Sequence, residues 1–430
     1  MRKFTAIIIG AGGRGNAYAA IMKKMPDRFD VVGVADPIAS RRNDIKEMFD
    51  LPDESCYQEY EEILSKPKMA DIAVICTMDD MHTKPALMAI ERGYDLLLEK
   101  PVAQTPQECA AIALAAEQKG VSVLVCHVLR YTPFYTTVKR LVMEGAIGDV
   151  MSVMAVEGVG NIHQSHSYVR GDWHREDETT PMLLAKCCHD LDIIQWIVDK
   201  PCRKVSSFGK LSHFTPENAP DGAPERCFEQ YCPAREECPY SCEKVYLKPG
   251  CNFMQRAAGR GYSKGFTPTL EEIEEGLRHT NFGACAYHAG NDVVDHQVVN
   301  MEFEGGVTAS LSMNAFNYGG RYIRIFGTKG ELYANASDKA VTVFSFDTRE
   351  WVRHSVTETD ESIAGGHGGG DDGIIAELYD YLSDNYTGFC AASIDVSVKN
   401  HMIGFAAERA RHNDTVENVS EYCKEFHYNY

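Results

Sequence analysis

Two opposite charges, Glu99 and Lys100, follow a run of three leucines and directly precede Pro101. A proline disfavours helical dihedral angles at the residue before it, so we expect Lys100 to be extended at the end of a buried strand. Open α/β sheets bind ligands just beyond the carboxyl ends of their strands. An ammonium group there could stabilise alkoxide charge as it develops on a substrate. The alternative is an ion pair that faces solvent.

A glycine-rich stretch, Gly10-Ala11-Gly12-Gly13-Arg14-Gly15, follows a predicted strand and opens a predicted helix. In the pattern G-x-G-x-x-G, the first glycine allows a tight turn and the second lets a pyrophosphate approach the backbone. The third lets the helix pack on the strand. The amino end of that helix then faces the phosphates. The stretch therefore predicts a dinucleotide-binding site.

Asp36 bears on the choice of dinucleotide, because it ends the second predicted strand about twenty residues further on. A carboxylate there can accept hydrogen bonds from the adenosine ribose, which favours NAD over NADP. Arg41 and Arg42 follow closely and could hold a 2′-phosphate, so NADP stays an alternative. The structural alternative is a glycine turn with an unrelated surface aspartate.

A parallel sheet is needed to bring these residues to one edge. Short apolar runs alternate with helical patterns in the first third of the chain, and Thr105-Pro106-Gln107-Glu108 reads as a capping box that opens one helix. This alternation is typical of a doubly wound parallel sheet, which we predict over residues 1–128. The predicted strands are 5–10, 31–36, 71–77, 94–99 and 121–126.

Beyond residue 128 the pattern changes to alternating apolar and polar residues. Residues 298–313 predict a hairpin with Gly305-Gly306 in a tight primed turn, and residues 322–335 repeat the pattern. We predict a second domain, 129–430, with a mainly antiparallel, open-faced sheet in an α+β arrangement. Residues 205–285, rich in Pro, Gly, Cys and charge, predict an insertion.

Composition excludes several classes of function. The chain has 430 residues and a net charge of −19, which disfavours nucleic acid and anionic membranes as partners. No apolar run is long enough to span a bilayer, and the N-terminus lacks a secretory pattern. With fifteen cysteines, we expect free thiols and a cytoplasmic location.

Three motifs together resemble the Gfo/Idh/MocA oxidoreductase family: the glycine stretch, Glu99-Lys100-Pro101, and the turn at 77–82. The segment 323–332 also resembles that family's sheet. The resemblance implies a Rossmann fold and a homodimer or homotetramer formed through the C-terminal sheet. It also implies that Lys100 lies beside the nicotinamide and the substrate hydroxyl. The cofactor contacts it implies are Gly10, Gly12, Gly13, Arg14, Gly15, Asp36, Thr77, His82, Glu99 and Lys100.

A second catalytic residue, His189, is implied by the same resemblance. Residues 179–200 predict a helix, with Thr180 as its cap and Pro181 in its first turn. His189 matches the family's helix histidine, and its ordinary pKa range suits removal of a hydroxyl proton. Many relatives have an aspartate four residues earlier, where this chain has Ala185. Lys186 follows and could bind substrate or act as a second cation.

Nitrogen donors are concentrated in residues 161–176, which include three histidines, two arginines and a tryptophan. In so acidic a protein they suit an oxygen-rich or anionic ligand such as a sugar or uronate, although a polar loop is an equal alternative. A glycine loop over 365–372, before a helix that starts near Asp372, could also contact ligand. The candidate substrate residues are His127, Arg130, Trp173 and Lys186.

Four cysteines lie close together within the predicted insertion. Cys227, Cys232, Cys238 and Cys242 are separated by four, five and three residues, and Cys251 follows. Four thiols over so short a distance could hold zinc, or less favourably an iron–sulfur cluster. Because no C-x-x-C pair is present, plain thiols or partial disulfides are the alternative.

Taken together, the sequence predicts an NAD-dependent oxidoreductase. We expect hydride transfer between the nicotinamide and a hydroxyl-bearing carbon of a carbohydrate, sugar derivative or polyol, with Lys100 and His189 in the active site. One alternative is a glycosidase that uses NAD transiently, through oxidation, elimination and hydration. A non-catalytic NAD-binding regulator is the other, and an intact Lys100 and His189 argue against it.

Overall fold

A parallel sheet of six strands is formed by the first part of the chain, in the order β3-β2-β1-β4-β5-β6. The structure is a computed structural model and describes residues 2–250, 252–263, 267–356, 368–383 and 386–430. All five predicted strands are present; the edge strand β3 was too short to predict. The strands are β1 Phe4–Ile9, β2 Phe29–Ala35, β3 Cys56–Tyr57, β4 Ile72–Ile75, β5 Asp95–Leu98 and β6 Val123–Val125.

Helices alternate with these strands. Strands β1, β4, β5 and β6 are buried almost throughout, so both faces of the sheet are covered, as the continuous apolar runs predict. Thr105 accepts a hydrogen bond from the Glu108 N–H at the start of α5, which confirms the predicted cap. The helices are α1 Gly13–Lys23, α2 Ala39–Phe49, α3 Tyr60–Leu64, α4 Thr83–Glu91 and α5 Pro106–Lys119.

A second sheet of nine strands follows, in the order β14-β13-β12-β11-β7-β10-β9-β8-β15. Neighbouring strands are antiparallel except for β7 and β10, which run parallel. This confirms the predicted mainly antiparallel sheet. The strands are β7 Val150–Gly158, β8 Cys202–Lys210, β9 His296–Phe303, β10 Thr308–Asn314, β11 Gly320–Gly327, β12 Gly330–Asn335, β13 Ala340–Ser345, β14 Trp351–Ser355 and β15 Glu417–Asn418.

The hairpin of β9 and β10 is present, but its turn differs from the predicted one. The Phe303 N–H donates to the Val307 carbonyl at 2.8 Å, so three residues rather than two form the loop. Gly305 and Gly306, with φ of 76° and 81°, provide its left-handed conformations. The chain leaves the sheet after Lys210, inside the range predicted as an insertion.

The helix predicted over 179–200 is interrupted, because Cys187 has φ −87° and ψ 2°, outside the helical range. The first segment follows Pro181, and Thr180 makes no capping bond. The remaining helices are α6 Pro133–Met143, α7 Asn161–His163, a π-helix Gln164–Arg170, α8 Met182–Ala185, α9 Cys188–Val198, α10 Cys242–Tyr246, α11 Phe253–Ala258, α12 Leu270–His279, α13 Gly370–Leu382, α14 Ile394–Asn413 and α15 Val419–Lys424.

The long helix α14 links the two sheets. The Val125 N–H at the end of β6 donates to the Ala392 carbonyl at 2.9 Å, just before α14 begins, and one hydrophobic core extends across both sheets. Two smaller cores lie around residues 214–289. In the described part of the chain, no helix combines the length and the apolar character needed to cross a bilayer.

Candidate active site

Glu99 and Lys100 lie at the carboxyl edge of the parallel sheet, directly after β5. Glu99 is buried, and its Oε1 accepts hydrogen bonds from Arg14 Nε and the Tyr18 hydroxyl, both at 2.8 Å. Burial favours the neutral acid, but the charges of Arg14 and Lys100 outweigh it and hold the pKa of Glu99 below its usual value. Glu99 is therefore an internal anion that fixes this edge of the sheet.

The Lys100 ammonium reaches across to the second part of the chain. Its Nζ donates to the Ala185 carbonyl at 3.1 Å, at the end of α8. His189 lies four residues further on, in the first turn of α9, and is 6% exposed. The break between α8 and α9 leaves that carbonyl available, because a continuous helix would use it in its own hydrogen bonding. The structure thus brings together the segments that carry Lys100 and His189.

The three glycines of the predicted nucleotide pattern differ in their surroundings. Gly10 has φ +85°, and a side chain there would meet the Cys76 carbonyl. A Cβ on Gly15 would lie 2.0 Å from the Gly10 carbonyl oxygen. A Cβ on Gly12 would meet only Arg41, at 3.6 Å. Gly10 and Gly15 are therefore required by the fold, whereas Gly12 borders open space.

That open space lies at the amino end of α1, which begins at Gly13. Gly12 makes no side-chain cap, and the first turn holds no acidic residue, so its N–H groups are available to an anion. This arrangement fits the pyrophosphate of a dinucleotide. Arg14 turns away from it and forms a bidentate pair with the buried carboxylate of Asp371, at 2.7 and 3.0 Å.

Asp36 is buried at the end of β2 beside this loop. Its carboxylate accepts hydrogen bonds from the Ala11 and Ile38 N–H groups, both at 2.8 Å, and retains acceptor positions for ribose hydroxyls. Arg41 Nη1 lies 3.9 Å from the carboxylate, and Arg42 donates to the Asp36 carbonyl. Asp36, predicted to bind the ribose of NAD, is therefore adjacent to Arg41 and Arg42, which could hold the 2′-phosphate of NADP.

Thr77 and His82 belong to a loop that is held internally. His82 is buried, and its two ring nitrogens lie 2.7 Å from the Pro101 carbonyl and 3.1 Å from the Thr77 carbonyl. It thus joins two loops at the sheet edge. In the same loop Asp79 accepts a hydrogen bond from Trp173 Nε1 at 2.8 Å. Trp173, a predicted substrate contact, therefore ties the segment 161–176 to the nucleotide-binding part.

His127 is fully buried between His189 and His401, with ring centroids 5.8 and 5.7 Å apart, respectively. Burial lowers its pKa to about 4, so the ring is neutral at physiological pH. The Nε2 atom of His127 lies 3.4 Å from Asn400 Nδ2. The Nδ1 atom of His127 has no partner in the described part of the chain. His127 can therefore offer an N–H group beside the predicted catalytic residues.

Arg130 is also buried, but it is fully engaged. Its guanidinium forms a bidentate pair with Asp192 at 2.6 and 2.7 Å, and Asp192 also accepts a hydrogen bond from Asn400 at 2.8 Å. Arg130 therefore stabilises the base of the site and does not face a ligand. No local sequence signal marks Asp192 as its partner, since the two are 62 residues apart.

Lys186 pairs with Glu157 of β7, with Nζ to Oε1 at 3.4 Å. Arg321 of β11 lies against Glu157 and Asp190, at 2.7 and 2.9 Å. Burial raises the pKa of Asp190 to about 6 despite the opposing charge of Arg321. A charged network of two cations and two carboxylates thus occupies the position beside α9. Sequence patterns did not indicate Glu157, Asp190 or Arg321.

Two histidines of the polar segment 161–176 are close neighbours with different partners. Burial, with the charges of Lys186, His166 and Arg321, lowers the pKa of His163 to about 3. His166 contacts the Tyr246 hydroxyl at 3.1 Å and stacks on Phe282, and both rings pack against Phe253. Residues 365–367 of the predicted glycine loop lie outside the described residues, and α13 begins at Gly370, near the predicted start.

The metal site predicted at Cys227, Cys232, Cys238 and Cys242 stays a prediction, since no three of these sulfurs lie within 4.8 Å of one another in the described residues. Cys242 donates its thiol to the Phe282 carbonyl and its N–H to Cys227 Sγ at 3.2 Å. Across the described residues, only one group of three potential ligands lies within 4.8 Å of one another: Glu176, Glu408 and His412. The guanidinium of Arg411 already contacts both carboxylates of that group. Cys251 lies outside the described residues.

Comparison with protein families gives two matches. Residues 4–127 match a model described as an oxidoreductase family with an NAD-binding Rossmann fold. Residues 139–393 match a model described as the C-terminal alpha/beta domain of the same oxidoreductase family. The first match covers the six-stranded sheet, and the second covers every strand of the nine-stranded sheet except β15.

Several curated proteins are similar to this chain. The Bacillus subtilis protein YteT is 24% identical over 86% of this chain and 88% of its own length. The B. subtilis scyllo-inositol 2-dehydrogenase (NADP(+)) IolW is 28% identical over 35% of this chain and 41% of its own. The Escherichia coli 2,7-anhydro-N-acetylneuraminate hydratase is 23% identical over 49% of this chain and 54% of its own length. This chain therefore spans about half of the latter two.

Solved structures share the fold. One is an oxidoreductase from Agrobacterium radiobacter in complex with NAD+, L-tartaric acid and magnesium. It has a TM-score of 0.69 at 12% identity, and the match covers 98% of this chain and 99% of the other chain. Another is a levoglucosan dehydrogenase in complex with NADH and levoglucosan. It has a TM-score of 0.68 at 15% identity, and the match covers 97% of this chain and 100% of the other chain.

Proposed function

The chain belongs to the Gfo/Idh/MocA family of oxidoreductases, and we propose that it transfers hydride between NAD and a hydroxyl-bearing carbon of a carbohydrate, sugar derivative or polyol. The relatives named as dehydrogenases, among them the inositol enzyme, support this class of substrate. The nitrogen donors His163 and Lys186 suit a ligand rich in hydroxyl oxygens.

One observation carries the proposal: Lys100 Nζ lies 3.1 Å from the Ala185 carbonyl. This contact spans from the edge of the nucleotide-binding sheet to the loop that leads into α9. It brings a cation to the position where the open end of a parallel sheet binds ligands, within four residues of His189. A lysine that only formed a surface ion pair would not need this contact.

The chemistry divides among the residues as follows. Bound NAD would be held at the amino end of α1 by Gly12 and at its ribose by Asp36, and it supplies the hydride acceptor. Lys100 donates hydrogen bonds to the substrate oxygen and stabilises its developing negative charge. His189 accepts the hydroxyl proton. The uncharged His127 ring packs edge-on against the His189 ring and helps to hold it in position.

The test is a screen of sugars, uronates and polyols with NAD, followed by the absorbance of NADH. Lys100→Met removes the charge and keeps an unbranched side chain, so kcat should fall by roughly 10² or more on a confirmed substrate. Lys84→Met removes an exposed lysine of α4 and should leave kcat unchanged. Equal turnover in the two variants would place the reaction elsewhere.

The second candidate is transient oxidation by NAD followed by elimination and hydration, as in a glycosidase or hydratase. The resemblance to relatives named as anhydro-sugar hydratases favours it. This reaction also needs Lys100 and His189, but it returns NAD to its starting state. Product formation without accumulating NADH would support this candidate over net dehydrogenation.

A non-catalytic NAD-binding role is the least favoured function, because it gives no reason for Lys100 to contact the loop that leads to His189. It predicts NAD binding without turnover of any sugar in the screen.

We also propose that copies of the chain associate through the open face of the nine-stranded sheet, where Met154, Phe208 and Tyr322 are exposed. Light scattering coupled to size exclusion would give a single-chain mass if this is wrong.

A further inference from the structure

A small cavity in the segment between β8 and β9 is lined by four cysteines: Cys227, Cys232, Cys238 and Cys285. Three of them belong to the set that sequence spacing indicates. The fourth is Cys285, which lies 47 residues beyond Cys238 and replaces Cys242 in the lining. Cys242 directs its own thiol to the Phe282 carbonyl instead.

Backbone pairing brings the distant cysteine to the others. Arg226 and Ala284 form an antiparallel bridge, which places Cys227 opposite Gly283 and Cys285 opposite Glu225, so the two cysteines are diagonal neighbours on one face of the bridge. The Cys227 N–H donates to the Gly283 carbonyl and the Cys285 N–H to the Glu225 carbonyl, both at 2.9 Å. The other two cysteines are held by a turn in which the Cys238 N–H donates to the Ala234 carbonyl at 2.8 Å.

A buried cation at the same cavity indicates that a negative charge belongs there. Arg170 lines the cavity and is 2% exposed, with hydrogen bonds to the Ala284 and Tyr240 carbonyls at 2.7 Å. Its Nη1 has no partner, and it pairs with no carboxylate, in the ranges that the structure describes. A buried guanidinium without an anion is costly, so the thiols beside it are its available source of negative charge.

From these observations we propose that Cys227, Cys232, Cys238 and Cys285 bind a single zinc ion as thiolates. Soft thiolate ligands favour zinc, and four of them complete a closed structural site. The centre would carry two net negative charges, of which Arg170 offsets one. The Cys242 N–H, 3.2 Å from Cys227 Sγ, stabilises one thiolate.

The small size of the cavity favours one ion over a cluster. At about 20 Å³ it has room for one water-sized occupant and not for four irons with their sulfides. In the part of the chain described, no three of the sulfurs lie within 4.8 Å of one another. The thiols therefore surround the cavity in an open arrangement, which ion binding contracts.

The role of the ion is to stabilise the segment that carries it. The loop 211–241 contains no strand and only one short 3-10 turn, and the cores around it are small satellites of the main one. Small units with limited cores commonly depend on a metal or disulfides for stability. Because Arg170 ends the π-helix that begins at Gln164, the ion also fixes one end of the segment that reaches the candidate active site.

The experiment measures metal in the full chain, purified under reducing conditions without added metal or chelator. We expect about one zinc per chain, released when a mercurial reagent modifies the thiols. Less than about 0.2 equivalents of zinc, with no uptake of added zinc, would overturn the proposal. About four irons per chain with acid-labile sulfide would overturn the single-ion assignment.

A pair of variants tests the choice of ligands. Cys285→Ser should reduce the bound zinc below about 0.2 equivalents, whereas Cys242→Ser should retain about one, because its N–H is unchanged. The reverse result would overturn the role of Cys285. If Cys285→Ser is insoluble, cobalt in the wild-type chain provides the second measurement: thiolate-to-cobalt charge-transfer absorption supports the site, and its absence contradicts it.

Discussion

His401 accepts a hydrogen bond from the Val102 N–H, with Nε2 3.0 Å from the nitrogen. The bond joins α14 to the segment directly after Pro101, across 299 residues of sequence. Because Nε2 is the acceptor, Nδ1 carries the proton and donates to the Ser397 carbonyl at 2.7 Å. A histidine that the sequence does not mark thus fixes the backbone that presents Lys100.

The first prediction concerns this contact. His401→Ala should leave the buried Val102 N–H without an acceptor and lower the free energy of unfolding by roughly 1–3 kcal/mol. Since Lys100 would be less well held, kcat should fall about tenfold with little change in KM. Urea unfolding and steady-state kinetics measure the two effects. His412→Ala, on the same helix but exposed, is the control, and an equal kinetic loss there would contradict the role of His401.

The second prediction separates two glycines of the nucleotide loop. Gly12→Ala adds a methyl group where the protein leaves space, so the melting temperature without cofactor should not change. The stabilisation by NAD, about 2.7 kcal/mol at 100 times its dissociation constant, should be largely lost. Gly15→Ala should instead unfold at lower temperature even without NAD, because its Cβ would lie 2.0 Å from the Gly10 carbonyl oxygen. Thermal denaturation with and without NAD and NADP distinguishes these results.

The third prediction concerns proton transfer. His189→Ala should lower kcat by roughly 10² to 10⁴, because a positioned base is lost. It should also remove the acidic limb of the pH–rate profile, since that limb reports protonation of the base. NAD affinity should be unchanged because α9 lies outside the nucleotide-binding sheet. A variant that keeps the acidic limb would assign that limb to another group.

The fourth prediction concerns pH and stability at Glu176. Burial, with the nearby charge of Glu408, raises the pKa of Glu176 to about 7. The folded chain therefore binds this proton more tightly than the unfolded chain, in which the pKa is about 4.3. The stabilising contribution is complete below pH 4 and is lost as pH rises to about 7.

Glu176→Gln keeps the uncharged form at every pH. It should resemble wild type near pH 4 and be more stable above pH 7, by up to about 4 kcal/mol, because one pKa unit corresponds to about 1.4 kcal/mol. Chemical denaturation across this pH range is the measurement. Glu302→Gln, at the surface of β9, provides the control. A difference between Glu176→Gln and wild type that does not vary with pH would contradict the raised pKa.

The sequence predicted the parallel sheet, and the position of Lys100 directly after one of its strands, because both depend on local patterns. A strand buried on both faces appears in the sequence as a continuous apolar run. A charged residue directly after such a run can be recognised without knowing what it contacts. The break at Cys187 was missed because the residues on each side of it favour a helix. Helical propensity is a weak guide where tertiary contacts, here those of Lys100 and Lys186, decide the backbone.

Long-range partners explain the remaining differences. Arg130 reads as a free cation because its partner, Asp192, is distant in sequence. Cys285 has no neighbouring cysteine that would identify it, and only the bridge between Arg226 and Ala284 places it. Such pairs follow from the three-dimensional arrangement and leave no local signal.

The ties between the two ends of the chain bear on how this protein can be recombined. Arg14 binds Asp371, Val102 binds His401, and Val125 binds Ala392, so the nucleotide-binding sheet is completed by residues from the last fifth of the sequence. A hybrid that exchanged only the first 128 residues with a relative would remove Arg14 from the buried Asp371 carboxylate, unless the relative has an arginine at the same position. A cofactor swap between relatives should therefore transfer residues 370–403 together with the nucleotide-binding half.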